Sequence, residues 1–252
     1  MSAMNAVKGY WAAARAPRYS LLFALPLLLL YEVLALAISQ DAVAGVRNGA
    51  DVLLKWIFVA FGGRDGLVAF GVLLLGVGGW LVVRDLRRAG WRLHPGWFAL
   101  MLGESVVYAL AFGTITGLLT AVVLGSVPLL AAVQGAVRMD VPTQLMVSLG
   151  AGLYEELLFR VLLVTGLAAL ARRGFGWRAG AAGVFATLVG ALVFSAFHYV
   201  GPFGDPFELG SFTFRAIAGV LFSGLYLLRG FGVTAWTHAL YDVFLVVSGV
   251  GL

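Results

Sequence analysis

The stretch Tyr154-Glu155-Glu156-Leu157-Leu158-Phe159-Arg160 sets two carboxylates and a guanidinium near the middle of an apolar run from about Pro142 to Ala171. The run is long enough to cross a bilayer, which takes about 20 apolar residues. One ionisable side chain at mid-membrane costs roughly 2.5 to 3.5 kcal/mol on insertion scales, so three within six positions persist only where they are paired and used. The cluster is therefore read as a candidate site. A second reading, in which the three groups only bridge neighbouring helices, stays open on this segment alone.

Helical geometry sorts the three residues. Positions four apart share a face, so Glu156 and Arg160 are placed to form an intrahelical ion pair. Adjacent residues point about 100° apart, which turns Glu155 elsewhere. Gly152 and Phe159 share its face, leaving open space on one side of the carboxylate and an apolar wall on the other. An unpartnered carboxylate so placed is a candidate general base.

Composition fixes the fold class. Of 252 residues 62% are hydrophobic and only 12% charged, with a mean hydropathy of +0.98. A soluble domain carries about twice that charged fraction, so the sequence predicts an all-α polytopic membrane protein. The net charge of +5 does not point to nucleic acid, because the basic residues cluster at the ends of apolar runs, where they determine topology. With no cysteine there is no disulfide framework, thiolate zinc site or cysteine nucleophile.

Seven spans are expected, or eight if one is undercounted: 19–38, 66–83, 97–124, 142–171, 179–200, 216–228 and 231–252. Residues 1–18 read as a cytoplasmic interfacial lead-in, and the first run as a retained helix rather than a signal peptide, since it is long and holds Glu32. Ser39 to Lys55 is polar and charge-balanced, and Trp56 to Gly63 is too short to span, hence re-entrant or interfacial. Arg84, Arg87, Arg88 and Arg92 mark one cytoplasmic loop, and Arg172, Arg173 and Arg178 another. The nearly neutral segment from Gly125 to Val141 and the loop from Gly201 to Phe212 then fall outside, with the N-terminus cytoplasmic and the C-terminus external. No internal repeat or soluble domain is visible, so residues 1–252 read as one membrane domain. Glu32 and Glu104 read as helix-bridging residues, and Gly113, Gly117, Ser148 and Gly152 as packing contacts.

Two of three histidines lie inside apolar runs. His198 closes Phe194-Ser195-Ala196-Phe197-His198, and His238 opens His238-Ala239-Leu240-Tyr241-Asp242. His238 and Asp242 are four apart, so the carboxylate is placed to fix the imidazole tautomer. Glu155, His198, His238 and Asp242, brought together, suit either of two tasks. They can bind a divalent metal such as zinc. Alternatively Glu155 activates water directly while the two histidines donate to a developing oxyanion. Neither an HExxH spacing nor a Gly-x-Ser-x-Gly elbow is present, so the cofactor stays open and a serine nucleophile has no support.

In order on successive apolar helices, Glu155-Glu156-x-x-x-Arg160, Phe194-x-x-x-His198 and His238-x-x-x-Asp242 resemble the CPBP family, the CAAX-processing and bacteriocin-processing intramembrane endopeptidases, also called the Abi family. The resemblance covers residues 143–252, the expected catalytic core. It implies an intramembrane peptidase in which Glu155 is the general base, Glu156 and Arg160 support it, and His198 and His238 are site residues. The last position is usually Asn in the family and is Asp242 here, which adds a charge beside His238. The resemblance leaves the metal undecided, since the family is described both as metal-dependent and as glutamate-dependent.

Arginine, alanine and glycine richness suggests a high-GC bacterium and an inner-membrane location. By family analogy the substrate is a membrane-associated peptide or protein tail, including the C-terminal tails cut by the myxosortase-like group. The rivals are a non-catalytic immunity or binding member of the family and a small transporter or proton relay. Paired broken helices in two related halves would mark the latter, and the sequence shows no such symmetry. One tension remains: His198 falls at the external end of its run, whereas His238 lies about 10 Å from the cytoplasmic end of its own.

Overall fold

The computed structural model describes residues 3–39, 46–125, 139–201 and 204–249. They form eight helices, and among the described residues there is no strand. Helix α1 (Ala3–Arg15) leads into α2 (Pro17–Ser39), α3 (Gly49–Ala89) and α4 (Pro95–Leu124). Helix α5 runs as Val141–Gly150, a π-helical middle Ala151–Val164 and Thr165–Gly174. Then follow α6 (Ala179–Phe197), α7 (Leu209–Arg229) and α8 (Phe231–Val247). Five of these, α2, α3, α4, α6 and α7, are each long and apolar enough to cross a membrane. Helix α5 and the shorter apolar α8 occupy the other two runs read as spans from the sequence, and the chain is an integral membrane protein.

The re-entrant expectation for Trp56 to Gly63 has a counterpart in α3. Gly63 takes φ 55° and ψ −137°, which breaks the helix. Phe58 and Phe70 would stand about 18 Å apart along a straight helix, yet their ring centroids are 5.4 Å apart. The chain therefore folds back on itself, and the arm after Gly63 is the crossing segment. The sixth span is longer than the expected 216–228 because its helix already starts at Leu209, where the Ser211 and Phe212 end packs on α6. Residues 126–138, most of the segment expected to be external, lie outside the described residues.

Two charged clusters tie the bundle together. Arg229, buried at the end of α7, donates from Nε and Nη2 to the two oxygens of Glu104 on α4, each at 2.6 Å. Tyr10 and Tyr108 also donate to Glu104. Glu32 accepts from Arg47, Lys55 and Tyr154. Both glutamates are thus helix bridges, as their isolation in apolar runs implies. In the polar stretch before Lys55, Arg47, Asn48, Asp51 and Lys55 are all buried. Asp51 bonds Arg47, Lys55 and Tyr31, and mutual pairing is what makes their burial tolerable.

Helices α5 and α6 form an antiparallel hairpin about the turn at residues 175–178. Glu155 faces His198, Phe159 packs edge-on to Phe194, and Val164 fills the space at Gly190. Each pair is nearly equidistant from the turn, so the length of the turn sets which residue meets the carboxylate. Helices α7 and α8 repeat the device about Gly230, which places Phe222 flat against His238 with centroids 4.3 Å apart.

Candidate functional site

The π-helical middle of α5 carries the acidic pair. Such geometry usually occurs as single turns and often at functional sites; here it covers fourteen residues. The four-apart relation survives it, and Arg160 Nη1 lies 3.2 Å from Glu156 Oε1. Arg160 is 1% exposed. Its guanidinium stacks over Phe194 at 4.4 Å and over Phe222 at 5.3 Å, so two aromatic faces share the charge with Glu156.

Glu156 has a second partner that spacing along one helix cannot reveal. His238 Nδ1–H donates to Glu156 Oε1 at 2.7 Å, fully buried. Asp242, expected to fix that ring, has Oδ2 3.6 Å from His238 Nε2, beyond hydrogen-bond range. The tautomer is therefore held by Glu156 across the helix interface rather than by Asp242 within the helix. The reason is the close approach of α8 to α5. A Cβ on Gly152 would stand 2.4 Å from Ala235 O and 2.6 Å from Ala239, so the space expected beside Glu155 is filled by α8. Gly152→Ala is expected to push α8 away, weaken the Glu156–His238 bond and cost about 1–3 kcal/mol; thermal unfolding in detergent measures it. Gly113 is likewise a packing contact, against Tyr241, whereas Gly117 has nothing within 4 Å.

Glu155 is also not unpartnered. Asn48 Nδ2 donates to its Oε1 at 2.8 Å, while Asn48 Oδ1 accepts from Ala50 N–H at the start of α3. The capping bond orients the amide so that its nitrogen must face Glu155. A Cβ at Gly150 would sit 2.8 Å from Asn48 Cβ, so glycine there admits the asparagine. Asn48 is the site neighbour that sequence reasoning missed; its signal is an Asn ahead of Gly49-Ala50-Asp51, the pattern of a helix N-cap.

The other oxygen of Glu155 is different. Oε2 is buried without a hydrogen-bond partner and lies 4.0 Å from His198 Nε2. His198 Nδ1 is 2.9 Å from the Phe194 carbonyl. A carbonyl only accepts, so Nδ1 carries the hydrogen and the neutral ring presents a bare Nε2. Two acceptors then face each other at 4.0 Å, a pair that a water donating to both would satisfy. Donation from His198 to an oxyanion instead requires the imidazolium. The depth tension closes here too: the His198 ring turns back along α6 to Phe194, whose ring lies 5.0 Å from His198 and 6.2 Å from His238.

The structure thus brings Glu155, Glu156, Arg160, Phe194, His198, His238 and Asp242 to one place. As metal ligands they fit poorly. Among the described residues no three His, Asp or Glu side chains are grouped to hold an ion. Ligands of a tetrahedral zinc stand about 3.4 Å apart, closer than the 4.0 Å between Glu155 and His198; His238, with Nδ1 on Glu156, has only Nε2 to offer, 3.6 Å from Asp242.

Residues 137–244 match the family model described as type II CAAX prenyl endopeptidase, Rce1-like. This part of the chain is similar to the Rce1-like family. The matched region contains every residue of the expected catalytic set, from Glu155 to Asp242, and leaves out Asn48. The family is one of CAAX-type intramembrane proteases, and the CPBP resemblance of the ordered motifs agrees with it. Comparison with curated proteins and with solved structures gives no match.

Proposed function

We propose that the Rce1-like region hydrolyses a peptide bond in a membrane-associated peptide or protein tail, using water activated at Glu155. The observation that carries this reading is the orphaned Glu155 Oε2 facing His198 Nε2 at 4.0 Å inside a desolvated bundle. A water held by both acceptors has its oxygen lone pair free for attack. Its oxygen bonds to the scissile carbonyl carbon as its proton passes to Glu155 Oε2. The same proton then goes to the departing nitrogen as the C–N bond breaks, leaving a carboxylic acid terminus, which keeps the water's second proton until it ionises, and a free amine. Asn48 holds the opposite oxygen of Glu155, and Glu156 holds His238 and Arg160. His238 and Asp242 line the far side of the site, where they contact the substrate.

The test is product analysis in heavy-oxygen water with purified protein in proteoliposomes. One heavy oxygen should enter the new carboxylate of the cleaved tail, and His198→Ala should slow its appearance by about 10²-fold or more. A covalent acyl-protein adduct trapped by acid quench and seen as a mass shift during turnover would mean nucleophilic catalysis and remove Glu155 as the base. Binding of the tail without any cleavage would favour the non-catalytic member of the family.

A further inference from the structure

The outward side of α3 is apolar for most of its length and basic at its end. Along the arm after Gly63, Val82 and Leu86 are buried against the bundle. Asp85 turns to the start of α2, where it takes Arg18. The other side carries Leu73 (51% exposed), Val77 (46%) and Trp80 (57%), then Arg84, Arg87 and Arg88, all exposed. These positions recur every three or four residues, so they form one stripe along the helix. From Leu73 to Arg84 the helix rises about 16 Å, close to half of the roughly 30 Å hydrocarbon core. Trp80 and the exposed Trp91 mark the interface, where such rings collect. The stripe is thus apolar over the depth of one leaflet and cationic at the level of its headgroups.

A groove of about 470 Å³ is set into the basic end of the stripe, lined by Gly79, Trp80, Val83, Arg84, Arg87 and Arg88. A Cβ on Gly79 would have nothing within 4 Å, so the glycine leaves a gap beside Trp80. The Arg84 guanidinium stacks over the Trp80 ring at 5.0 Å, which holds one cation at the boundary between the apolar and basic parts. Among the described residues no ion pair engages Arg84, Arg87 or Arg88, because Asp85, the one acid between residues 66 and 103, is taken by Arg18. Inside the bundle, by contrast, Arg47, Lys55, Arg160, Arg215 and Arg229 are each matched by a carboxylate. Setting the topology needs only the charges; it requires neither a groove nor a tryptophan beneath them.

We infer that this groove seats one anionic phospholipid, with its phosphate on Arg84, Arg87 and Arg88 and an acyl chain along Leu73 and Val77. Charge complementarity chooses the occupant. Three unpaired cations at headgroup level call for an anion, and the apolar stripe continuous with them selects an amphiphile over a free phosphate ester. The assignment is independent of the hydrolytic reading above.

Native mass spectrometry of the full chain, titrated in detergent with phosphatidylglycerol or phosphatidylcholine, tests this. One phosphatidylglycerol should bind more tightly than phosphatidylcholine by about tenfold or more, and excess glycerol phosphate should not displace it. Arg84→Gln/Arg87→Gln/Arg88→Gln should bring the affinity down to the phosphatidylcholine level. Because loss of three charges can also disturb insertion, Gly79→Leu is the second variant. It keeps every charge, meets no neighbour and fills the groove, so it should weaken binding by about tenfold or more. Arg172→Gln/Arg173→Gln removes two exposed arginines that lie outside the groove, and should bind as wild type. Equal affinity for the two lipids, displacement by glycerol phosphate, or wild-type binding by Gly79→Leu would each overturn the inference. An equal loss in the Arg172 and Arg173 variant would overturn it too, by showing diffuse attraction to charge in place of a site.

Discussion

Glu155→Gln is expected to abolish processing of a membrane-anchored substrate, lowering kcat/KM by about 10²–10⁴-fold, the usual contribution of a positioned general base. Folding should be unaffected. The substitution keeps shape and volume, and Asn48 Nδ2 can still donate to the remaining amide oxygen. What changes is the atom facing His198. An NH₂ group there donates where Oε2 could only accept, so it faces Nε2 without like-for-like acceptor opposition and removes both the proton acceptor and the seat of the water. Because Oε2 is orphaned in the resting protein, thermal stability in detergent should be equal or higher. Asn48→Ala leaves the carboxylate but frees it to turn, and a loss of roughly 10–100-fold is expected, as for other orienting partners. Retention of near wild-type activity by Glu155→Gln would remove Glu155 as the base.

What the sequence made legible was whatever depends on position along a single helix. The pair Glu156 and Arg160, the placement of His198 after Phe194, and the bridging roles of Glu32 and Glu104 follow from helical spacing and from the cost of charge in lipid. Partner choice between helices was not legible in this way. His238 has a carboxylate four residues on, yet it bonds Glu156, because Gly152 admits α8 so closely that the crossing contact is shorter than the contact along the helix. Asn48 escaped for a related reason. It lies in a polar, charge-balanced stretch with no apolar periodicity, and only tertiary packing shows that Arg47, Asp51, Lys55 and Glu32 pair with one another and that Asn48 is buried among them. The register of α5 against α6 lay in the length of the turn at residues 175–178, but only to a reader who already knew that the two helices pair.

Glu156→Ala is expected to be the most destabilising single change at the site. It leaves the Arg160 guanidinium, 1% exposed, without its anion and the His238 Nδ1–H without its acceptor. Removing one partner of a buried pair typically costs 3–5 kcal/mol, and a fall of that order should appear in unfolding followed by circular dichroism in detergent. The aromatic faces of Phe194 and Phe222 still contact the guanidinium, which places the expected value at the low end. The double variant Glu156→Leu/Arg160→Leu separates structure from chemistry. Replacing both charges with apolar side chains removes the uncompensated ion, and such replacements are often neutral or stabilising. Stability should therefore return towards wild type, whereas activity should not, because His238 still lacks the acceptor that fixes its ring. A single variant as stable as wild type would show that Arg160 does not depend on Glu156. An active double variant would show that the His238 orientation is not needed, and would leave Glu155 and His198 as the whole of the machinery.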